Sequence, residues 1–503
     1  MKYKPVIGLE IHAELNTRTK MFCDSLNNPD EKHPNVNICP VCLAHPGTLP
    51  VINSEAVRKV ILTGLALNCT IARDTFFERK NYFYPDLPKG YQISQYLKPL
   101  CEKGELKLRS GKNIRVTRIH LEEDAGKLIH ESGIMNHESK DQRFKVQDSS
   151  LVDFNRAGVP LMELVTEPDF ENGDQVREFA QELQLILRYL NVSDTDMEKG
   201  LMRVEVNISL TNEDGSWGTK VEIKNLNSIS VAAASVDYEI DRQKQLLEDG
   251  GTVAQETRGW DDNKRSTFSQ RSKEEAHDYR YFPEPDLPPL RFEDSDIENI
   301  KSGLPELPQQ RRNRFKEQYK LPDADVEIFT TNRPLGNFFE HVASELLSFD
   351  KLSHLERPSP EHQERLFKLA SNYLITELQK HLATISAEPA DTKVNPESFA
   401  DLVVRIFHKQ ISSSAAQTVL EEMFKTGLSP EHIIQEKDLG QVSDTGALES
   451  VVDSVIEKNQ KAVDDYKAGK EASLKFMIGM VMRESKGKAN PQVVEEIIKI
   501  KLK

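Results

Sequence analysis

The chain has 503 residues, 38% hydrophobic and 29% charged, with 66 Lys and Arg against 81 Asp and Glu and a net charge of −15. That length exceeds one compact core and predicts two to four domains of about 100–200 residues each, and no apolar run approaches the roughly 18 residues that span a bilayer. The acidic balance argues against a general nucleic-acid coat, because non-specific binding depends on Lys and Arg neutralising phosphates, so any RNA contact is expected to be local.

The first residues, Met1 to Gly8, run into an alternating strand without an apolar or Arg/Ser-rich leader, which predicts a cytoplasmic protein. Over 6–14 the alternation places Ile7, Leu9, Ile11 and Ala13 on one face and Gly8, Glu10, His12 and Glu14 on the other. Carboxylates and an imidazole therefore share a surface, which is either an ordinary solvated face or a site. Five cysteines are too few for a disulfide scaffold. Cys39-Pro-Val-Cys42 has metal or redox spacing, and with Cys23 it makes three ligands for Zn²⁺; tetrahedral closure needs a fourth, from His33 or His45. Cys69 and Cys101 read as buried small apolar residues.

A helical pattern over 54–67 leads to a segment, 77–94, in which Arg79, Lys80, Tyr82, Tyr84, Lys89 and Tyr91 mix cations with aromatic planes. That mixture suits a nucleotide or an unpaired RNA end, with a tyrosine-rich structural loop as the other reading. Strand 114–121 then runs into His120, Glu122, Glu123 and Asp124. Adjacent carboxylates repel unless a cation or solvent separates them, and Mg²⁺ prefers oxygen ligands and phosphate, so the cluster reads as a phosphoryl site or an exposed acidic turn. Strand parity groups Glu122 with His120 and Glu123 with Leu121, and does not choose between them. Further strands carry Glu163 and, over 203–210, Glu205 on a face with Arg203 and Asn207; helical patterns over 174–190 and 229–248 make this half α+β.

The Pro-rich run 282–289 extends neither element and predicts a boundary, giving a large mixed sheet domain over 1–293 as the catalytic part. Helical spacing over 305–349, 360–385 and 397–425 predicts an all-helical middle domain, 294–405, and a small helical tail domain, 406–503. In the tail, Leu474, Met477, Ile478 and Val481 are helically spaced, and Asn490-Pro491 reads as N-cap and first turn of a last helix. Its last 33 residues carry seven basic and four acidic side chains, a basic tail on an acidic body or an ordinary helix surface. No phosphate-loop, dinucleotide or protein-kinase motif is present, so any ATP cradle is not a standard one. The run 412–414 lacks the glycines that present an amidase serine and reads as helix surface or packing.

At several of these segments the chain resembles the B subunits of the GatCAB tRNA amidotransferases. The matching stretches are 6–12, 79–86, 91–95, 120–127, 221–228 and 278–286, and the likeness extends over essentially the whole chain. The resemblance implies ATP-dependent phosphorylation of the side-chain carboxylate of Glu or Asp mischarged on tRNA(Gln) or tRNA(Asn), followed by amidation. An amidase A subunit supplies ammonia from glutamine, a small C subunit completes the complex, and the helical half holds the tRNA. Carried over by motif, Glu10, His12 and Glu123 resemble the Mg²⁺-binding positions, and Glu163 and Glu205 nearby acidic positions. The likeness departs at Ser25, where zinc-bearing members have a second cysteine. The related archaeal subunit that serves Glu-tRNA alone carries an inserted domain for which this length leaves little room, and a non-catalytic tRNA-binding scaffold is the rival from another class.

Overall fold

A computed structural model describes residues 3–130, 150–272, 279–348, 359–440, 445–485, 489 and 491–502. It divides into two compact units between Leu307 and Pro308. The first unit opens with β1 (Pro5–Glu14), α1 (Ser54–Ala66), β2 (Thr70–Ile71), β3 (Asp74–Thr75), β4 (Glu78–Asn81), β5 (Tyr91–Ser94), β6 (Cys101–Lys107) and β7 (Asn113–Glu123). There follow β8 (Lys127–His130), β9 (Ser150–Asp153), β10 (Pro160–Thr166), α2 (Gly173–Tyr189), β11 (Met202–Leu210), β12 (Val221–Leu226) and α3 (Ile229–Glu248). The unit ends with β13 (Glu256–Asp261), β14 (Ser266–Ser272), β15 (Arg280–Pro283), β16 (Leu290–Arg291) and α4 (Asp294–Ser302).

Nine of these strands form one sheet in the order β14-β13-β12-β11-β1-β10-β7-β6-β2. The sheet is mixed, because β12 and β13 run parallel while β1 pairs antiparallel with both β10 and β11. Ile7, Leu9 and Ile11, the apolar face of β1, are buried in a core that Val60 of α1, Phe179 of α2 and Val236 of α3 share. Asparagine and serine start these helices as their short side chains predict: Asn53 accepts from Glu55 and Ala56, Asn172 from Gln175, and Ser228 from Val231. With one sheet face closed by helices, the other keeps the polar residues of β1.

The Pro-rich run lies inside the first compact unit. β15 pairs with β4 and β16 with β3, so its prolines punctuate strand ends, where a missing N–H is tolerated. Beyond 293, α4 still belongs to the first unit, with Ile297 in its core.

In the second unit α5 (Pro308–Tyr319), α6 (Asp323–Thr331), α7 (Arg333–Leu347), α8 (Pro360–Tyr373) and α9 (Gln379–Ile385) lead to α10 (Pro396–Phe407), α11 (Ser413–Thr426) and α12 (Pro430–Glu436). They surround an aromatic core in which Phe329 stacks on Phe339 at 4.7 Å. This core runs past the expected 405/406 boundary to Ile433, because α10 and α11 bury Val403, Val404, Val419 and Leu420 together. Ser412 caps α11, accepting from Ala415 N–H at 3.2 Å, so the serine run starts a helix. A separate core joins α13 (Thr445–Lys458), α14 (Gln460–Lys467), α15 (Glu471–Glu484) and α16 (Pro491–Leu502) through Leu448, Met477, Val481 and Ile498. Asn490, Lys486, Lys488 and Lys503 of the predicted tail lie outside the described residues. Among the described residues no helix is long and apolar enough to cross a membrane.

Gly173 sits at a close approach of α2 to α3: a Cβ there would lie 2.3 Å from the carbonyl oxygen of Ala233. Gly173→Ala should therefore force the helices apart and lower stability by about 1–3 kcal/mol, read as a shift in the denaturant midpoint at unchanged slope.

Candidate carboxylate and imidazole site

Register across four strands builds the site. On β1, Glu10 lies opposite Glu205 of β11, and His12 lies opposite Glu163 of β10. Glu163 in turn lies opposite His120 of β7, and Glu122 is opposite Leu161. Side chains of facing residues project from the same sheet face, so these groups converge on the side away from the apolar core. His12 Nε2 is 3.8 Å from Glu10, 3.5 Å from Glu122 and 3.4 Å from Glu163. Donor atoms of Glu10, His12 and Glu163 all lie within 4.8 Å of one another, as do those of Glu10, Glu205 and Glu222.

Burial makes the charges matter. Desolvation pushes Glu10 up to about 7, and the neighbouring charges of Glu163 and Glu205 add to the rise. His12 moves the other way: burial alone would depress it, but a hydrogen bond to Glu163 and the charge of Glu122 lift it to about 9. Burial opposes the charge of Glu163 as well, yet His120, His12 and Lys80 hold its carboxyl below the usual range. Cations face the cluster: Arg118 is 3.5 Å from Glu163, Lys224 is 2.7 Å from Glu205, half-buried Lys80 interacts with Glu122 and Glu163, and Arg203, opposite His12, interacts with Glu122. One carboxylate oxygen of Glu122 stays buried without a hydrogen-bond partner, as does the Oδ1 of Asn207.

Glu10, His12, Glu163 and Glu205 thus come together, and Glu123 does not join them. It is the first residue past Glu122 and turns from the shared face; Ile93 N–H donates to it at 2.9 Å and Lys89 pairs with it. Glu122 takes the place expected of Glu123. Strand parity grouped Glu122 with His120 but chose it over Glu123 only once the partner strand was known, and Lys224 and Glu222 were missed as members for the same reason.

The aromatic and cationic segment is divided in its duties. Arg79 is committed to Glu284 at 2.7 and 2.8 Å and lies over the Tyr91 ring at 4.4 Å, so both hold the small sheet of β15, β4 and β5 together. Lys80, from the same strand, reaches the acidic cluster, and Tyr82 packs edge-on against Tyr279 at 5.4 Å. Asp278 of the later matching stretch lies outside the described residues. Half-exposed Tyr84 borders a surface depression of about 480 Å³ with exposed Phe83 and with Lys89.

Cys23, Cys39 and Cys42 bring their sulfur atoms within 4.8 Å of one another. Neither histidine supplies a fourth ligand: exposed His33 binds Glu31 at 3.0 Å, and His45 is exposed and outside the group. The fourth side holds Ser25 Oγ, 4.0 Å from Cys42 Sγ, and the buried Lys20 ammonium, 3.7 Å away. Three thiols beside an ammonium do not close a tetrahedral zinc site.

The chain matches the family model "GatB/GatE catalytic domain" over residues 5–298, the range that holds this sheet face, and "GatB domain" over 361–502. The B subunit of the aspartyl/glutamyl-tRNA(Asn/Gln) amidotransferase of Caldanaerobacter subterraneus subsp. tengcongensis is 45% identical over 509 residues, covering all of both chains. The corresponding B subunit of Thermotoga petrophila is 44% identical over 502 residues, with 99% of this chain and 98% of the relative covered. The chain belongs to the family of B subunits of the aspartyl/glutamyl-tRNA(Asn/Gln) amidotransferases.

Glu122 and Glu123 make a clean contrast. Glu122→Gln should weaken Mn²⁺ binding by on the order of 10–100-fold, whereas Glu123→Gln should leave it unchanged, as measured by Mn²⁺ titration under electron paramagnetic resonance.

Proposed function

We propose that this chain, assembled with an amidase A subunit and a small C subunit in the cytoplasm, activates the side-chain carboxylate of Glu-tRNA(Gln) or Asp-tRNA(Asn) with ATP. Ammonia released from glutamine by the amidase then displaces phosphate, leaving the amide on the tRNA. The observation that carries this reading is the convergence of Glu10, Glu122, Glu163 and Glu205 with His12 on one largely buried sheet face.

The donor set fits a divalent cation. Oxygen ligands dominate it, one buried carboxylate oxygen of Glu122 lacks a partner, and like charges this close favour a cation between them. Glu10, His12, Glu122 and Glu163 are the residues that would hold Mg²⁺, which when bound offsets negative charge on ATP and on the substrate carboxylate. A carboxylate is a poor electrophile until one oxygen becomes part of a phosphate leaving group, so phosphorylation precedes amidation. Half-buried Lys80 faces the same carboxylates and supplies a positive charge to an incoming phosphoryl group. Exposed Phe83 and Tyr84, at the rim beside Lys89, offer faces on which a base of the nucleotide or of the tRNA end can stack. In the tail, exposed Lys475 and Arg483 lie on α15 with half-exposed Phe476, a combination suited to RNA backbone and bases.

With the other two components, ATP, Mg²⁺ and glutamine present, the assembly should convert Glu-tRNA(Gln) to Gln-tRNA(Gln). Glu10→Gln should keep tRNA affinity while slowing amide formation by on the order of 10²-fold or more, measured by chromatography of the released amino acid. A scaffold would bind tRNA and show no change in amide formation.

A further inference from the structure

A second donor set adjoins the one described. Glu163 Oε2 lies 3.4 Å from His12 Nε2 and 3.5 Å from His120 Nε2. Glu122 repeats the arrangement, with Oε1 3.5 Å from His12 Nε2 and Oε2 4.0 Å from His120 Nε2. Each carboxylate therefore stands between two imidazoles, one from β1 and one from β7. Donor atoms of His120, Glu122 and Glu163 lie within 4.8 Å of one another, and all three residues are buried. Glu122 is only 2% exposed and its Oε2, the oxygen facing His120, has no hydrogen-bond partner. A buried carboxylate oxygen left so forfeits its hydration without a replacement, a loss that a ligand between Glu122 and His120 would recover.

We propose that the cluster is a two-cation centre, in which Glu122 and Glu163 bridge one divalent ion held by Glu10 and His12 and a second held by His120. This rests on the function proposed above and extends it to a second ion position. Carboxylates shared in this way set two ions roughly 3.5–4 Å apart, the spacing at which a pair of cations clamps the oxygens of a phosphoryl transfer.

Charge decides when the second ion enters. The carboxylates of Glu10, Glu122, Glu163, Glu205 and Glu222 outnumber the cations that face them, Lys80, Arg118, Lys224 and Arg203, and the imidazoles must be neutral to ligate. The small negative surplus suits one divalent ion. A second needs added negative charge, which the phosphates of a nucleotide bring. One imidazole per ion also favours a cation that accepts both nitrogen and oxygen, such as Mn²⁺, over one restricted to oxygen. Lys80 is the rival occupant, since its ammonium faces Glu122 and Glu163 already.

The test is Mn²⁺ binding to the assembled amidotransferase, followed by electron paramagnetic resonance with and without a non-hydrolysable ATP analogue. The expected result is one isolated Mn²⁺ per assembly without the analogue and two exchange-coupled Mn²⁺ with it. His120→Asn should keep the first ion, which also reports an intact site, and lose the second together with the coupling. A single uncoupled ion under both conditions, lost in Glu10→Gln, overturns the two-cation centre and leaves the proposed function standing; Lys80 then fills the second position. Two coupled ions in His120→Asn overturn the assignment of His120. Absence of any ion that depends on Glu10 overturns both this inference and the cation site beneath it.

Discussion

The crowding of like charge on one buried sheet face is the constraint from which the rest follows. The registers of β1 with β10 and β11 leave Glu163 and Glu205 no choice but to face His12 and Glu10. Two unit charges 4 Å apart repel by about 1 kcal/mol in water and about 4 kcal/mol at the effective dielectric of a protein surface, so several together are tolerable only with compensation. Lys80, Arg118 and Lys224 provide part of it, and Glu10 provides another part by holding its proton up to about 7. The remaining demand for positive charge is what makes the face a place for a cation and a phosphoryl group.

Such a face needs a rigid support. The opposite side of the same strands, Ile7, Leu9, Ile11, Val204 and Val206, is buried against α1, α2 and α3, and it pins the register that the site depends on. A slip of one residue in β1 would send Glu10 and His12 into the apolar core and the isoleucines to the site. The small sheet of β15, β4 and β5 then adds what the large sheet lacks, since its strand β4 delivers Lys80 to the cluster while Arg79 next to it is tied to Glu284. Alternation along one strand thus assigns neighbouring cations to different tasks, one structural and one facing the acids.

Periodicity made much of this plan legible in the sequence. The split of β1 into an apolar and a polar face was readable because alternation is local, and α1, α2 and α3 were readable because their apolar residues recur at helical spacing. Register between strands is not local. That His12 meets Glu163 depends on a pairing across some 150 residues of chain, and the choice between Glu122 and Glu123 depends on Leu161 lying opposite the former. The expected boundaries differ from the divisions of the packed cores for another reason. Prolines end elements without ending a domain, so 282–289 punctuates two short strands inside the first unit, and the helices on either side of residue 405 share one core that composition does not reveal. The strand Glu256–Asp261, nearly all polar, offered no apolar rhythm to read.

The claim that this sheet face activates a carboxylate has a direct chemical signature. Glu-tRNA(Gln) carrying ¹⁸O in its side-chain carboxylate, turned over by the assembled enzyme with ATP and glutamine, should release inorganic phosphate containing one ¹⁸O per amide formed, as read by mass spectrometry. The Glu10→Gln assembly should release none above background. Amide formation with unlabelled phosphate, or undiminished label transfer in the Glu10→Gln assembly, would contradict the account.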